Sequence, residues 1–213
     1  MSNATGRRDE PEHHNFDFPM TIILASGNEH KLREVREILA PEGIEVLGAA
    51  DVGGFPEVVE DRETFEGNAV KKAEECARAV GRTVLADDSG LAVAALDGAP
   101  GVWSARYAGE HGNHTANIAR VLAELAGARD RSARFVCVLA LATPAGVVGT
   151  VEGEVRGTLA LEPRGSRGFG YDPIFIPEGH DRTFAQLPAD VKNHLSHRGD
   201  ALRKLVASGL LSP

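Results

Sequence analysis

Two adjacent carboxylates close an apolar run in Val84-Leu85-Ala86-Asp87-Asp88-Ser89-Gly90. Such a pair at the end of a strand can coordinate Mg²⁺ or take a proton from water. Neighbouring side chains on an extended chain point to opposite sides, so one carboxylate should face a cleft while the other braces the loop. The same residues also suit a type I turn, which favours Asp at its first position and Gly at its fourth. A second segment, Ser26-Gly27-Asn28-Glu29-His30-Lys31, lies between an apolar run and a helical pattern. Backbone N–H groups at a helix N-terminus favour an anion. Lys31 works against that macrodipole, an odd choice for stability alone, although a Ser/Asn turn with a solvated lysine is the plainer alternative. No G-x-x-x-x-G-K-S/T pattern occurs, which excludes a Walker loop.

Phe169-Gly170-Tyr171-Asp172-Pro173 places an aromatic between glycines, where a flat base could approach its face. A hairpin turn with core aromatics reads equally well. Aromatics make up only 5% of the chain, and two of them in one glycine turn tilt the balance toward binding. Lys192, His194, Ser196, His197, Arg198 and Gly199 surround a helix junction, and their donors suit a purine 6-oxo group or phosphate oxygens. A solvated basic face near a helix end is the plainer alternative.

The elements that must position these residues follow from periodicity. Met20 to Ala25 predicts a buried strand and Lys31 to Leu39 a helix stopped by Pro41 and Gly43. Ile44 to Leu47 predicts a second strand, and Thr64 caps a helix to about Val80. Thr83 to Ala86 predicts a third strand, ending abruptly at the Asp pair. His114 or Thr115 starts a helix with Ile118, Val121, Leu122 and Leu125 inward. Ala133 to Ala142 turns at Pro144-Ala145-Gly146 into Val147 to Val155, a hairpin. Gly168 to Ile176 reads as a turn followed by a strand, then two helices, Pro188 to Leu195 and Arg198 to Ala207, meet near Ser196-His197. Alternating strands and helices followed by a hairpin predict a mixed α/β sheet with a cleft. Trp103 is expected to pack or cap a loop, and Glu152 and Glu154 to share an exposed strand face.

The 213 residues suffice for one domain with a core, and no apolar run approaches the ~20 residues of a membrane span. The formal charge of −8 disfavours nucleic acids as partners. Residues 1–19 are polar, lack the apolar stretch of an export signal, and read as a flexible leader outside the fold. Cys76 and Cys137 sit in apolar segments as small buried hydrophobes, which fits a reducing cytoplasm.

Taken together, SGNEHKLREVREIL (Ser26 to Leu39), TFEGNAVKKA (Thr64 to Ala73), ADDSGLAVAALDGAPGVWSARYAG (Ala86 to Gly109), FGYDPIF (Phe169 to Phe175) and SHRGDAL (Ser196 to Leu202) resemble, in order, the inosine triphosphate pyrophosphatase family. The resemblance implies a single two-lobed domain over residues 20–213, with an elongated, curved central sheet flanked by helices and a nucleotide cleft between the lobes. It implies Mg²⁺-dependent hydrolysis of ITP, dITP and XTP to monophosphate and pyrophosphate, by a homodimer. Ser26, Gly27, Asn28, Glu29, His30 and Lys31 would hold the triphosphate. Asp88 would be the catalytic carboxylate and metal contact, with Lys31 catalytic beside it and Ser89 on the nucleotide. Phe169 would stack on the base, Gly170, Tyr171 and Asp172 would shape the pocket, and Lys192, His197 and Arg198 would read the base edge. The family commonly has an acid directly before the asparagine of its T-F-x-E-N-A segment, where this chain has Gly67 before Asn68; Glu60 and Glu66 are the candidates for a second carboxylate. A pyrophosphatase for modified pyrimidine triphosphates and a non-catalytic purine-nucleotide sensor are the rival readings.

Overall fold

The protein, described by a computed structural model over residues 20–211, is built on a six-stranded mixed sheet. The leader expected at residues 1–19 lies outside the described residues. The strands are β1 (Met20–Ala25), β2 (Ile44–Leu47), β3 (Val84–Val93), β4 (Ser132–Thr143), β5 (Gly146–Leu159) and β6 (Phe175–Pro177), in the order β2-β1-β3-β4-β5-β6. β1 pairs in parallel with β2 and β3, and every later pairing is antiparallel. The helices are α1 (Glu29–Leu39), α2 (Phe65–Val80), α3 (His114–Glu124), α4 (Ala189–Leu195) and α5 (His197–Ala207).

Ile22 to Ala25 of β1 are buried in succession, as a parallel strand covered on both faces requires. One face packs Leu24, Leu85 and Leu139 against Leu32, Val35 and Leu39 of α1 and Leu202 and Leu205 of α5. On the other face Ile23, Ala86 and Val138 meet Ala69, Ala73 and Ala77, a stripe at helical spacing whose small side chains let α2 approach the sheet closely. A third cluster, with Leu91, Ile118, Val121, Phe135, Phe175 and Phe184, forms the second lobe around α3 and the far end of the sheet. Cys76 and Cys137 are free and buried, as expected.

Several sequence expectations need correction. β3 does not end at Ala86: it runs through the Asp pair to Val93, matched residue for residue with β4 from Val84↔Ala142 to Val93↔Ala133. The strand tolerates two adjacent carboxylates because cations meet them from other elements, as described below. Gly90 lets it pass beneath the 101–104 segment, since a Cβ there would lie 2.5 Å from the Gly101 carbonyl and the Ser104 hydroxyl. α1 starts two residues earlier than expected because Asn28 caps it, accepting from the amides of His30 and Lys31. The strand expected within 168–176 is short and starts late, as β6 (Phe175–Pro177), and the preceding residues are a loop pinned by Asp172, which accepts from the Phe169 amide at 2.8 Å. Trp103 does not pack inward; it is 56% exposed, with the Arg106 guanidinium 4.5 Å from its ring centre. Of the glutamates on β5 only Glu152 is exposed, whereas Glu154 is partly covered and paired with Arg134 and Arg156. Among the described residues no helix is long and apolar enough to cross a membrane.

Candidate active site

A cleft of about 630 Å³ opens between the two lobes. Its walls are the β1–α1 turn, the middle of β3, the 55–60 loop, the 169–172 loop and the α4–α5 junction. Ser26, Gly27, Asn28, Glu29, Lys31, Asp88, Ser89, Phe169, Gly170, Tyr171, Asp172, Lys192, His197 and Arg198 all border this one cavity. His30 and His194 do not; both are exposed.

The alternation of side chains along β3 divides the Asp pair as anticipated. Asp87 is fully buried beneath α1 and α5. Its carboxylate takes Lys31 Nζ at 2.5 Å, Arg198 Nε at 2.7 Å and the Ser89 hydroxyl at 2.5 Å, and the Cys137 thiol donates to it at 3.4 Å. Burial alone would raise its pKa, but Arg198 and Lys31 hold it well below the usual carboxylate range. Asp88 points into the cleft. Its Oδ1 accepts from the Ser89 amide at 3.0 Å, while Oδ2 is buried without a hydrogen-bond partner. Burial pushes the Asp88 pKa up to about 6, against the pull of Lys31 and Lys72 and with a further push from Glu60. A carboxylate so placed is a proton acceptor near neutral pH and an open ligand for a hard cation.

Glu60 lines the same cleft and pairs with Lys72 at 2.6 Å. Burial works against its charge, but Lys72 lowers its pKa overall. Glu66, the other candidate, is exposed and accepts from Thr150 at 2.8 Å, outside the cavity. At Gly67 a Cβ would lie 2.9 Å from Arg62 Cβ, so a side chain there would crowd the preceding loop.

Lys192 and Arg198 belong to a buried ionic chain. Glu34 of α1 accepts from Lys192 at 2.7 Å and Arg198 at 2.5 Å, and Lys192 also reaches Asp172 at 2.5 Å. Burial opposes the Glu34 charge, but Arg198 and Lys192 draw its pKa down, whereas burial dominates at Asp172 and raises it. Arg198 further donates from Nη2 to Ser89 at 3.2 Å. His197 stacks on Phe135, with ring centres 4.8 Å apart and planes at 12°, and its Nδ1 is buried without a partner. Burial first and Arg198 second hold its pKa well below the usual histidine value, so the ring is neutral. Phe169 borders the cavity with Lys192 Nζ 5.0 Å and Arg198 Cζ 5.9 Å from its centre. Tyr171 is buried and donates to the Ser104 carbonyl at 2.9 Å.

Sequence reasoning missed Glu34 and Lys72. Glu34 lies three residues after Lys31 and so shares its helix face. An acid beside the buried Leu32 and Val35 was the available signal. Lys72 lies on α2 between the buried Ala69 and Ala73, and its role emerges only once the 55–60 loop folds over it.

With this geometry in hand, comparison with known proteins is informative. The family model described as Ham1 family matches residues 22–208. The chain is similar to a protein named dITP/XTP pyrophosphatase from Bacillus licheniformis, 50% identical over 188 residues that cover 87% of this chain and 96% of that protein. A protein of the same name from Bacillus subtilis strain 168 is 52% identical over 185 residues, or 86% of this chain and 93% of that protein. A solved HAM1 protein from Coxiella burnetii superposes with a TM-score of 0.79 at 43% identity, covering 89% of this chain and 98% of that one.

Proposed function

The chain belongs to the Ham1 family, and on that premise we propose that it hydrolyses dITP, ITP and XTP to monophosphate and pyrophosphate, removing non-standard purines from the nucleotide pool. The observation that carries this is the cleft itself. It joins an unpartnered buried carboxylate oxygen on Asp88 to Lys31 on one side and to the donors Lys192 and Arg198 beside Phe169 on the other.

In this reading Asp88 accepts the proton of the water that attacks the α-phosphorus. Lys31 and Lys72 offset the charge that gathers on the departing pyrophosphate. The base lies on Phe169, and Arg198 and Lys192 offer N–H groups to its 6-oxo oxygen; neither side chain has an acceptor for a 6-amino group. The residues also fit a divalent cation. The cavity lining carries four cations (Lys31, Lys72, Lys192, Arg198) and four carboxylates (Glu29, Glu60, Asp88, Asp172), and each of the cations is already paired with a carboxylate. A triphosphate entering such a neutral lining needs further positive charge. Asp88 and Glu60 are the oxygen ligands present to hold Mg²⁺, which would supply that charge on the phosphate oxygens. The proposal extends to a homodimer working in the cytoplasm, as the resemblance implies, which sedimentation and cell fractionation check.

The test is pyrophosphate release over a panel of ITP, dITP, XTP, ATP, dGTP and modified pyrimidine triphosphates. The proposed activity gives pyrophosphate and monophosphate from the first three well above the rest. Preference for a pyrimidine would shift the assignment to the rival pyrophosphatase, and binding without turnover would leave a sensor. dGTP is the sharpest member of the panel, because it shares the 6-oxo group and separates readers of that group from readers of position 2.

A further inference from the structure

We propose that His30 is a positioning residue for the base platform: its imidazole backs the Phe169 ring and ties the phosphate-side turn to it. The inference rests on the reading of the cleft as a purine triphosphate site. The resemblance places His30 among residues that hold the triphosphate, but its side chain is committed elsewhere. The ring lies parallel to Phe169, with centroids 5.2 Å apart and planes at 11°. Phe169 borders the cavity and so do Glu29 and Lys31 on either side of His30, yet His30 does not. Its exposed ring therefore covers a part of Phe169 that the cavity leaves free.

Two hydrogen bonds fix this placement. The His30 amide is held by Asn28 Oδ1 at 2.9 Å in the cap of α1. Its Nδ1 lies 2.9 Å from Arg33 Nη2, and a guanidinium can only donate, so Nδ1 is the acceptor and the ring is locked one turn along the helix. Offset, near-parallel rings at this separation attract. Phe169 sits between two glycines with positive φ, 72° at Gly168 and 60° at Gly170; Asp172 pins its amide, but no side chain on either neighbour packs against the ring. The ring must be steadied from outside, and His30 does so from the lobe that carries Lys31. A base stacked on Phe169 then meets a platform already in register with the phosphate-side turn, which lowers the ordering cost of binding.

The test uses the full chain with His30→Ala and His30→Phe. Calorimetry measures Kd for IMP and for inorganic tripolyphosphate, and steady-state assays give KM and kcat for ITP and XTP. The expected result for His30→Ala is an IMP Kd and purine triphosphate KM higher by about three- to tenfold, with the tripolyphosphate Kd unmoved. His30→Phe restores both values. An unchanged IMP Kd in His30→Ala overturns the proposal, as does an equal loss on tripolyphosphate, which would make His30 a phosphate contact. Failure of Phe to rescue overturns it too. If the wild type binds IMP but releases no pyrophosphate, the proposed activity falls while the IMP comparison still decides the role of His30. If it does not bind IMP, both readings fall.

Discussion

Replacing Asp88 by Asn should abolish turnover and at the same time stabilise the metal-free protein at neutral pH. The folded-state pKa of about 6 stands against an ordinary value of 3.8. A gap of that size corresponds to about 3 kcal/mol by which burial disfavours the ionised carboxylate at pH 7 and above. Asn removes the charge and keeps an oxygen for the Ser89 amide. It also brings an NH₂ group to the place where Oδ2 has no partner. An unsatisfied group of this kind costs about 1–2 kcal/mol, leaving a net gain of about 1–2 kcal/mol. For a domain of this size that is a melting temperature higher by roughly 2–8 °C. Because the folded pKa lies above the unfolded one, the native state binds the extra proton between pH 4 and 6, so the wild type loses stability as pH rises through that window. The advantage of Asp88→Asn should therefore be full at pH 7.5, vanish near pH 5, where the burial penalty has fallen by about half and the unmet NH₂ group cancels it, and turn into a deficit of about 1 kcal/mol by pH 4. The assay is thermal or urea unfolding of both proteins with chelator across this range, beside kcat with ITP, which should fall by roughly 10²-fold or more. A variant that melts lower at pH 7.5, or whose difference from wild type ignores pH, would refute the electrostatic reasoning. Near wild-type turnover would remove Asp88 from the chemistry.

Phe169→Ala should raise KM for ITP, XTP and ATP alike by an amount equal to about 1–3 kcal/mol of stacking; a lowered melting temperature with unchanged KM would make Phe169 only a packing residue. Glu60→Gln should raise the Mg²⁺ concentration for half-maximal activity by about tenfold or more, whereas Glu66→Gln should leave it in place. Equal behaviour of the two variants in a metal titration would reject Glu60 as the second carboxylate. Arg198→Ala would take from Asp87 and Glu34 one of the two cations each is paired with and leave a cavity in the buried chain, so the specificity test is Arg198→Lys, which keeps the charge and loses the fork. Its ratio of kcat/KM for ITP over ATP should fall by about tenfold, through loss at the ITP end, and the ratio cancels any change in the folded fraction; an unchanged ratio sinks the base-reading role.

Apolar periodicity made most of the elements legible, because covered strands and amphipathic helices repeat with fixed spacing. The six strands were all anticipated, and α2 begins at Phe65 after Thr64, which accepts from the Gly67 amide as a cap. What misled was local chemistry overruled by partners distant in sequence. Asp87-Asp88-Ser89-Gly90 has the composition of a turn, yet it lies mid-strand, because Lys31, 56 residues away, and Arg198, 111 residues away, neutralise Asp87. Trp103 was expected to pack or cap a loop; it is not packed inward, and Arg106 three residues on gives its face a partner at the surface. The cleft residues were recognisable as types with the right chemistry. Their convergence was legible only through the family resemblance, since no spacing rule brings Lys31, Asp88, Phe169, Lys192 and Arg198 to one cavity.

The buried chain Lys31–Asp87–Arg198–Glu34–Lys192–Asp172 explains how a few side chains could hold a base edge to one identity. Lys and Arg side chains are flexible, and a flexible donor rotates to suit whatever it meets. Here each charge is held at both ends. Arg198 spends Nε on Asp87, Nη1 on Glu34 and Nη2 on Ser89, and Lys192 spends two of its three N–H groups on Glu34 and Asp172. The N–H groups that remain are fixed in direction before any ligand arrives. The carboxylates nearest these donors are engaged with them: both oxygens of Glu34 take a cation, and Asp172 Oδ2 takes Lys192 and the Phe169 amide. An amino group at position 6 placed against Arg198 and Lys192 would meet donors that cannot accept, in a buried setting where an unmet donor is costly. Glu34 makes this arrangement possible without touching the base: it converts two mobile cations into a rigid pair of donors, and it ties them to α1, the same helix whose first turn carries Lys31 into the cleft.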